Sequence, residues 1–240
     1  MKSNQSLISL SNLGVFPEVY SSKRGFRIHT MPEGSTYWRD WPESQLASYQ
    51  QDQGSSNHCA KYAAASALNL LYGTSLLGSS LVDWMDSRFL KGTGIYSILG
   101  NHNGSLVFQT ANLIRRLAGQ VGLMPDVRCG FGTHTDIRKQ LKYDWSLTIV
   151  TVTYFQGSEP IIARGTNTIS SLGPSPILGG HIMILGAYSP EHRNTSGEST
   201  PWGFISSWSN KEHIYWMTER DFIRTWGKLS FFNMITVKRT

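Results

Sequence analysis

Hydrophobic residues recur at helical spacing in two stretches of the chain. Residues 57–72 carry an apolar face of alanine and leucine, Ser56 or Asn57 is placed to cap the first turn, and Gly73 is placed to end the helix. Residues 107–118 have the same period, with arginines on the outer face. The inner face of this second predicted helix holds Leu106, Leu113, Ile114 and Leu117.

Strands are predicted farther along the chain, where short runs of β-branched and aromatic residues replace the helical period. Residues 146–155 (SLTIVTVTYF) and 181–188 (HIMILGAY) each favour a buried strand, and residues 202–208 (WGFISSW) favour a third. A polar loop separates the last two runs, so we expect them to form a β-hairpin with a long tip.

Three smaller elements complete the pattern. Thr135 is placed to cap a short helix over residues 135–141. Residues 212–226 predict a short strand followed by a helix with Thr218 at its cap, and residues 231–239 predict a closing strand. A helix followed by a mostly antiparallel sheet is an α+β fold, and we expect that class here.

The chain is predicted to form one domain preceded by an arm. Residues 1–50 contain Pro17, Pro32 and Pro42 between short apolar pieces, which indicates an irregular arm that lies over the core. Residues 51–240 hold all the predicted helices and strands and are long enough to bury a large core. We therefore expect the activity to reside in this second segment.

The charge balance narrows the class of partner. The 240 residues carry a formal net charge of +6, with a sequence pI of about 9.4. The basic residues occur as scattered pairs without a long run or a nucleic-acid-binding motif, so we expect solvated surface and no nucleic-acid partner. The glycines of residues 92–100 lack the lysine of a phosphate-binding loop and the third glycine of a dinucleotide site, so no cofactor is predicted.

Cysteine usage and the length of the apolar runs bear on the compartment. Cys59 and Cys129 can form at most one disulfide, which favours a reducing compartment over a secreted disulfide scaffold. Residues 1–16 have no apolar stretch long enough for a signal peptide, and no run of about 18 apolar residues would span a membrane. We expect cytoplasmic synthesis and no membrane span, while export by a non-Sec route and the oligomeric state stay open.

Candidate chemistry begins at Cys59, where a polar turn meets the alanine-rich predicted helix. A helix N-terminus favours thiolate, so this position suits a nucleophile as well as a small buried residue. His181 opens a strand directly after two glycines, so it can be the base for such a thiol or an ordinary strand histidine. No CxxC or HExxH pattern occurs, and the spacing of cysteines and histidines does not favour zinc, so no metal site is predicted.

Three short motifs resemble those of a known enzyme clan. QGSSNHCA (residues 53–60) resembles the segment around the active cysteine of papain-like cysteine peptidases, GHIMILGAY (180–188) resembles the segment around their histidine, and FISSW (204–208) resembles the strand of their third catalytic residue. The layout of residues 50–230 resembles the C39-like branch of that clan most closely. The resemblance implies a papain-like fold, in which an N-terminal catalytic helix packs on a mostly antiparallel sheet.

The resemblance also implies site residues. Cys59 would be the nucleophile and His181 the base, while the Gln53 side chain and the Cys59 N–H would form the oxyanion hole. The chain departs from the clan where an asparagine or aspartate orients the histidine, because Ser206 stands there, with Asn210 as a nearby substitute. Serine can orient His181 but carries no charge to stabilise an imidazolium.

The activity that this resemblance implies is hydrolysis of a peptide or amide bond through a Cys–His acyl-enzyme, with a protein or peptide as substrate. Two alternatives stay open. The acyl-enzyme can instead serve an acyltransferase or deamidase that acts on a protein or natural product. The uncharged third position also suits a degenerate domain that binds a partner without turnover.

Overall fold

The computed structural model describes residues 33–54, 56, 58–81, 106–169, 178–208 and 211–240. Within these residues, helices pack against one antiparallel sheet of nine strands. The strands are β1 (Thr36–Tyr37), β2 (Asp126–Phe131), β3 (Ser146–Phe155), β4 (Ile162–Arg164), β5 (Asn167–Ile169), β6 (Leu178–Tyr188), β7 (Trp202–Ile205), β8 (Tyr215–Met217) and β9 (Asn233–Lys238).

The helices lie between strands of the sheet in the chain, mostly between β1 and β2. They are α1 (Glu43–Ala47), α2 (Cys59–Tyr72), α3 (Val107–Gln120), α4 (His134–Gln140) and α5 (Glu219–Phe222). A 3-10 turn at Trp38–Asp40 precedes α1, and a π-helical turn at Ile223–Lys228 continues α5. The mixed class predicted from the pattern, helices with an antiparallel sheet, is confirmed.

The centre of the sheet is formed by β3 and β6. The order is β2-β9-β3-β6-β7-β8-β4-β5, and β1 pairs with β6 outside this path. β3 is buried along nearly all of its length, which explains its continuous apolar run. β7 pairs antiparallel with β6, from Ile184 opposite Ile205 to Tyr188 opposite Trp202, so the predicted hairpin is confirmed.

The helix α2 follows the prediction over most of its length. It ends at Gly73, whose φ of 68° lies in the left-handed region that a residue without a Cβ adopts readily. Its start differs from the prediction. His58 occupies the N-cap position without a side-chain cap bond, so the cap predicted at Ser56 is wrong, and Asn57 lies outside the described residues.

The cap of α4 also differs from the prediction, because it is Thr133 and not Thr135. Thr133 is extended, with φ −94° and ψ 167°, and its Oγ1 accepts a hydrogen bond from the Asp136 N–H at 3.2 Å. The Asp136 carboxylate accepts in return from the Thr133 N–H at 2.8 Å. Thr133 prevails because the residue three positions later is an acid that completes the reciprocal pair, whereas Arg138 stands at that offset from Thr135.

The last part of the chain matches the predicted order of strand, capped helix and strand. Thr218 precedes α5, and its Oγ1 accepts from the Asp221 N–H at 3.0 Å. β9 lies between β2 and β3, so the C-terminal strand closes the sheet from inside rather than at its edge.

Residues 33–50, the described end of the predicted N-terminal arm, contribute to the core. β1 pairs with the end of β6, and buried Trp38 donates from Nε1 to the Ser146 carbonyl at 2.7 Å. Leu46 of α1 is fully buried. Residues 1–32 lie outside the described residues, and the domain boundary at residue 50 stays a prediction.

A glycine in β7 tests how tightly the sheet is packed. A Cβ on Gly203 would lie 2.8 Å from Ile214 Cδ1 and 3.0 Å from the Ala187 Cβ on the neighbouring strand. Gly203→Ala should therefore lower the free energy of unfolding by about 1–3 kcal/mol in urea denaturation. Gly130→Ala in β2 is the matched control, since no described atom lies within 4 Å of its Cβ position. Equal stability of the two variants would contradict this packing.

Candidate active site

Cys59 is the first residue of α2, and the helix carries it to the centre of the sheet. Three fully buried alanines on α2 allow the helix to lie close to β3 and β6: Ala64, Ala65 and Ala67. Cys59 is half-buried. Its sulfur lies close to the backbone N–H of Ile182, the residue that follows His181 on β6.

The surroundings of Cys59 favour its neutral thiol. Burial raises the pKa of the thiol, while the backbone N–H groups of Ile182, Ala60 and Cys59 itself act in the opposite direction. The contribution expected from the helix N-terminus is therefore present, but burial outweighs it.

His181 lies on β6 and is held from two sides. Its Nε2 is 2.8 Å from Ser206 Oγ, and both residues are buried. The indole of Trp208 stacks on the imidazole with centroids 4.3 Å apart and planes inclined by 4°. With Nε2 bonded to Ser206, Nδ1 is the ring nitrogen that remains for a thiol.

Burial also controls the charge of His181. Desolvation lowers the pKa of its imidazole to about 3, so the ring is neutral at pH 7. In the neutral form, Nε2–H donates to Ser206 Oγ when the lone pair is on Nδ1. That tautomer is the one that can accept a proton at Nδ1.

The strand end that carries Ser206 is fixed by Gln50, a residue to which the sequence analysis assigned no role. The Ser206 N–H donates to Gln50 Oε1 at 3.0 Å, and Gln50 Nε2 donates to the His213 carbonyl at 2.9 Å. Gln50 is fully buried. Nothing in its polar sequence context, SYQQDQG, distinguishes it from a surface loop residue, so only the fold reveals it.

Gln53 is attached to the same strand end through Ser207. The Gln53 N–H donates to the Ser207 carbonyl at 2.9 Å, and the Ser207 hydroxyl donates to Gln53 Oε1. Gln53 Nε2 donates to the Ser56 carbonyl at 2.5 Å. Because a carbonyl can only accept, this contact identifies the amide nitrogen and leaves Oε1 for the hydroxyl.

Tyr154 of β3 is a further residue that interacts electrostatically with Cys59. Burial, with a smaller effect from Cys59, raises the pKa of its phenol to about 12. The phenol is therefore protonated at neutral pH. From the sequence, Tyr154 is recognisable only as part of a buried strand.

The predicted site residues thus lie in two connected groups. At the end of β7, His181 is hydrogen-bonded to Ser206, and Gln53 is hydrogen-bonded to the next residue, Ser207. Cys59 adjoins them through the Ile182 N–H. The alternative third residue, Asn210, lies outside the described residues.

The described ranges contain neither a candidate metal centre nor a candidate membrane span. No group of three or more histidine, cysteine, aspartate or glutamate residues there could hold a metal ion. In the same ranges, no helix has both the length and the apolar content to cross a bilayer.

Comparison with known proteins reveals a likeness of fold. No protein-family profile matches the chain, and no curated protein matches it. Among solved structures, it is similar to a Bacillus anthracis protein provisionally assigned as a C39-like peptidase, with a TM-score of 0.50 and 9% identity over 86% of this chain and 98% of the other. At this identity the likeness shows the fold alone.

Acid should destabilise the protein through His181. The unfolded imidazole takes up a proton near pH 6.5, whereas the folded one resists it down to about pH 3, so stability falls as pH falls through this window. Between pH 7 and pH 4, the wild type should lose a few kcal/mol more than His181→Gln in urea denaturation.

A second, half-buried histidine, His192, also contributes to the loss of stability in acid, but its effect cancels when the two proteins are compared. Burial lowers its pKa to about 4, and this contribution is common to both proteins. Parallel pH curves for wild type and His181→Gln, or a His181 pKa above 6.5 by NMR titration, would contradict the neutral buried imidazole.

Proposed function

We propose that this protein is a cysteine hydrolase with a papain-like fold that cleaves a peptide or amide bond in a protein or peptide substrate. The observation that carries the proposal is the buried His181–Ser206 hydrogen bond beneath Trp208, with Cys59 at the start of α2 against the next residue of the same strand. In this proposal α2 is the catalytic helix of a domain spanning residues 51–240. The fold likeness to a provisional C39-like peptidase supports the same class.

The first step makes the nucleophile. Cys59 gives its S–H proton to His181 Nδ1, and the sulfur electron pair forms a bond to the substrate carbonyl carbon. Since the pKa shifts of both groups favour their neutral forms, the proton moves as the S–C bond forms, and the thiolate is not stored beforehand. Ser206 Oγ then accepts from the Nε2–H of the imidazolium.

The carbonyl π electrons move to oxygen, and two donors are available for the resulting oxyanion. One is the backbone N–H of Cys59, which lies in the first turn of α2, where N–H groups have no partner within the helix. The other is the second Nε2–H of Gln53, since Ser56 occupies only one of the two amide hydrogens. Ser207 holds the amide in this orientation.

Collapse of the intermediate breaks the C–N bond, and His181 Nδ1–H protonates the departing amine. Water then attacks the acyl-enzyme, giving its proton to His181, and the thiol is regenerated. If an amine attacks instead, the same residues perform acyl transfer. If the substrate is a glutamine side chain, ammonia leaves and the reaction is a deamidation.

A second candidate function is favoured by one observation. Ser206 has no charge, and the buried site gives His181 no described carboxylate partner, so the imidazolium formed during turnover has less stabilisation than an aspartate would supply. A domain that keeps the pocket and binds a peptide without cleaving it fits this feature. Reactivity of Cys59 separates the two candidates.

The thiol assignment is tested with a peptidyl vinyl sulfone and intact-mass analysis. The wild type should gain one adduct on Cys59, and His181→Ala should slow its formation by about 100-fold, because the base that takes the proton is lost. Cys59→Ala should form no adduct at this position and should lose peptide hydrolysis by about 1000-fold or more.

Cys129→Ser is the matched control and should react like the wild type, since Cys129 lies on exposed β2 away from His181. Equal labelling of Cys59 and Cys129 in the wild type, or undiminished labelling of His181→Ala, would overturn the hydrolase and favour the binding domain.

If Ser206 orients His181, its loss should lower kcat only in part. Ser206→Ala removes the acceptor that orients His181 but leaves the base, so kcat should fall by about tenfold, far less than in His181→Ala. Ser206→Thr, which keeps the hydroxyl, should retain more of the rate than Ser206→Ala. An unchanged kcat in Ser206→Ala would contradict this role and direct the same test to Asn210.

A further inference from the structure

A second concave site lies at the opposite end of β6 from His181. A cavity of about 770 Å³ is bounded by Gly34, Arg138, Tyr188 and Trp202. Tyr188 follows His181 by seven residues on β6, which places it about 23 Å away at the usual rise of a strand. The cavity is therefore separate from the thiol site.

The charges that line this cavity are mostly positive. Arg138, Lys139 and Lys142 all line it, and none of them forms an ion pair with a carboxylate in the described part of the chain. By contrast, the described arginines Arg128 and Arg224 each pair with an aspartate at 2.9 and 3.0 Å. Three cations thus line one concavity, and the lining holds one carboxylate, that of Glu219.

The nearby carboxylates are used elsewhere. Glu219 lines the cavity but accepts a hydrogen bond from Trp202 Nε1. Asp136 of α4 is bound to the N–H and hydroxyl of Thr133 in the capping box, and it attracts Lys139 electrostatically without forming an ion pair with it. Neither neutralises the three cations at hydrogen-bond distance.

Arg138 makes two contacts with the wall of the cavity. Its guanidinium carbon lies 4.0 Å from the centroid of the Tyr188 ring, and one of its nitrogens donates to the Gly34 carbonyl at 3.4 Å. Tyr188 packs edge-on against buried Trp202, with centroids 4.8 Å apart. A stacked guanidinium still presents its other N–H groups at the ring edge, where they can bind phosphate oxygens in pairs.

Hydroxyl groups add neutral donors to the cavity wall. Ser199 Oγ accepts from Arg193 at 3.0 Å, which leaves its own proton to donate, and Thr135 lines the cavity beside Arg138. The volume is too large for a single small anion and is similar to that of pockets that hold small organic ligands.

We propose that this cavity is a binding site for a small ligand carrying two or more phosphate groups. Arg138 would bind phosphate oxygens through its fork, while Lys139 and Lys142 would supply point charges, and the hydroxyls would satisfy the remaining oxygens. All three cations line one cavity, which favours a compact polyanion over a nucleic acid or a membrane.

Isothermal titration with inorganic tripolyphosphate at about 150 mM NaCl tests the proposal. The wild type should bind with a micromolar Kd, and inorganic phosphate and sulfate should bind at least about tenfold more weakly at equal ionic strength. The triple variant Arg138→Gln, Lys139→Gln, Lys142→Gln should lose at least about tenfold in affinity.

A matched control variant distinguishes binding in this cavity from nonspecific attraction to the positive charge of the whole protein. Arg128→Gln, Lys228→Gln, Arg239→Gln removes the same charge from three exposed residues outside the cavity and should bind within about twofold of the wild type. Far-ultraviolet circular dichroism verifies that both variants fold. The single variant Arg138→Lys keeps the positive charge but loses the guanidinium fork, and it should bind tripolyphosphate several-fold more weakly than the wild type.

Several outcomes would overturn the site. These are absence of tripolyphosphate binding below millimolar concentration, equal affinity in wild type and the cavity triple variant, or equal losses in both triple variants. Binding of an oligonucleotide or of anionic vesicles without tripolyphosphate binding would also overturn it, in favour of a larger partner. Cys59→Ala should bind tripolyphosphate like the wild type, so this site and the proposed hydrolase succeed or fail separately.

Discussion

The hydrogen bond between His181 and Ser206 is the constraint on which the candidate active site depends. Both side chains are buried, and a buried polar group without a partner costs more free energy than its hydrogen bond contributes. The bond requires the observed register of β6 against β7, in which Ile184 lies opposite Ile205. A slip of one residue would turn the two side chains to opposite faces of the sheet.

Burial also shapes the chemistry of the thiol site. It raises the pKa of Cys59 and Tyr154 and lowers that of His181, so each of these groups is held in its neutral form. A neutral pair suits the apolar centre of the sheet, where an ion pair would have to offset the loss of hydration of both charges. In the proposed hydrolase, substrate binding would bring a polarisable carbonyl and the oxyanion donors together and so make charge separation favourable.

The strand β6 connects two chemically different places. One end carries His181 within a buried, uncharged arrangement, and the other end carries Tyr188 beneath Arg138 in an open, basic cavity. Three of the basic residues behind the net charge of +6, all within residues 138–142, line this cavity. A central strand held by β3 and β7 along its length supplies a rigid frame for both.

Much of the secondary structure can be predicted from the sequence because it depends on interactions between residues that are close together in the chain. The alanine-rich period and Gly73 determine α2, and continuous β-branched runs determine β3 and β6, since these features act within a few residues. The cap at Thr135 was wrong although the signal was present, because the acid at position 136 pairs with Thr133. The likeness in motif spacing was enough to single out Gln53, Cys59, His181 and Ser206 as site candidates.

Other features exist only through contacts between distant segments. Gln50 and Ser207 support Ser206 and Gln53 across more than 150 positions of chain, and no periodicity or local motif encodes such pairs. The neutral state of Cys59 depends on burial against β6, which overrides the local preference of a helix N-terminus. Sequence by itself therefore determined the elements and the reactive residue types, whereas tertiary structure decided their partners and protonation, because burial and long-range hydrogen bonds arise only when the strands assemble.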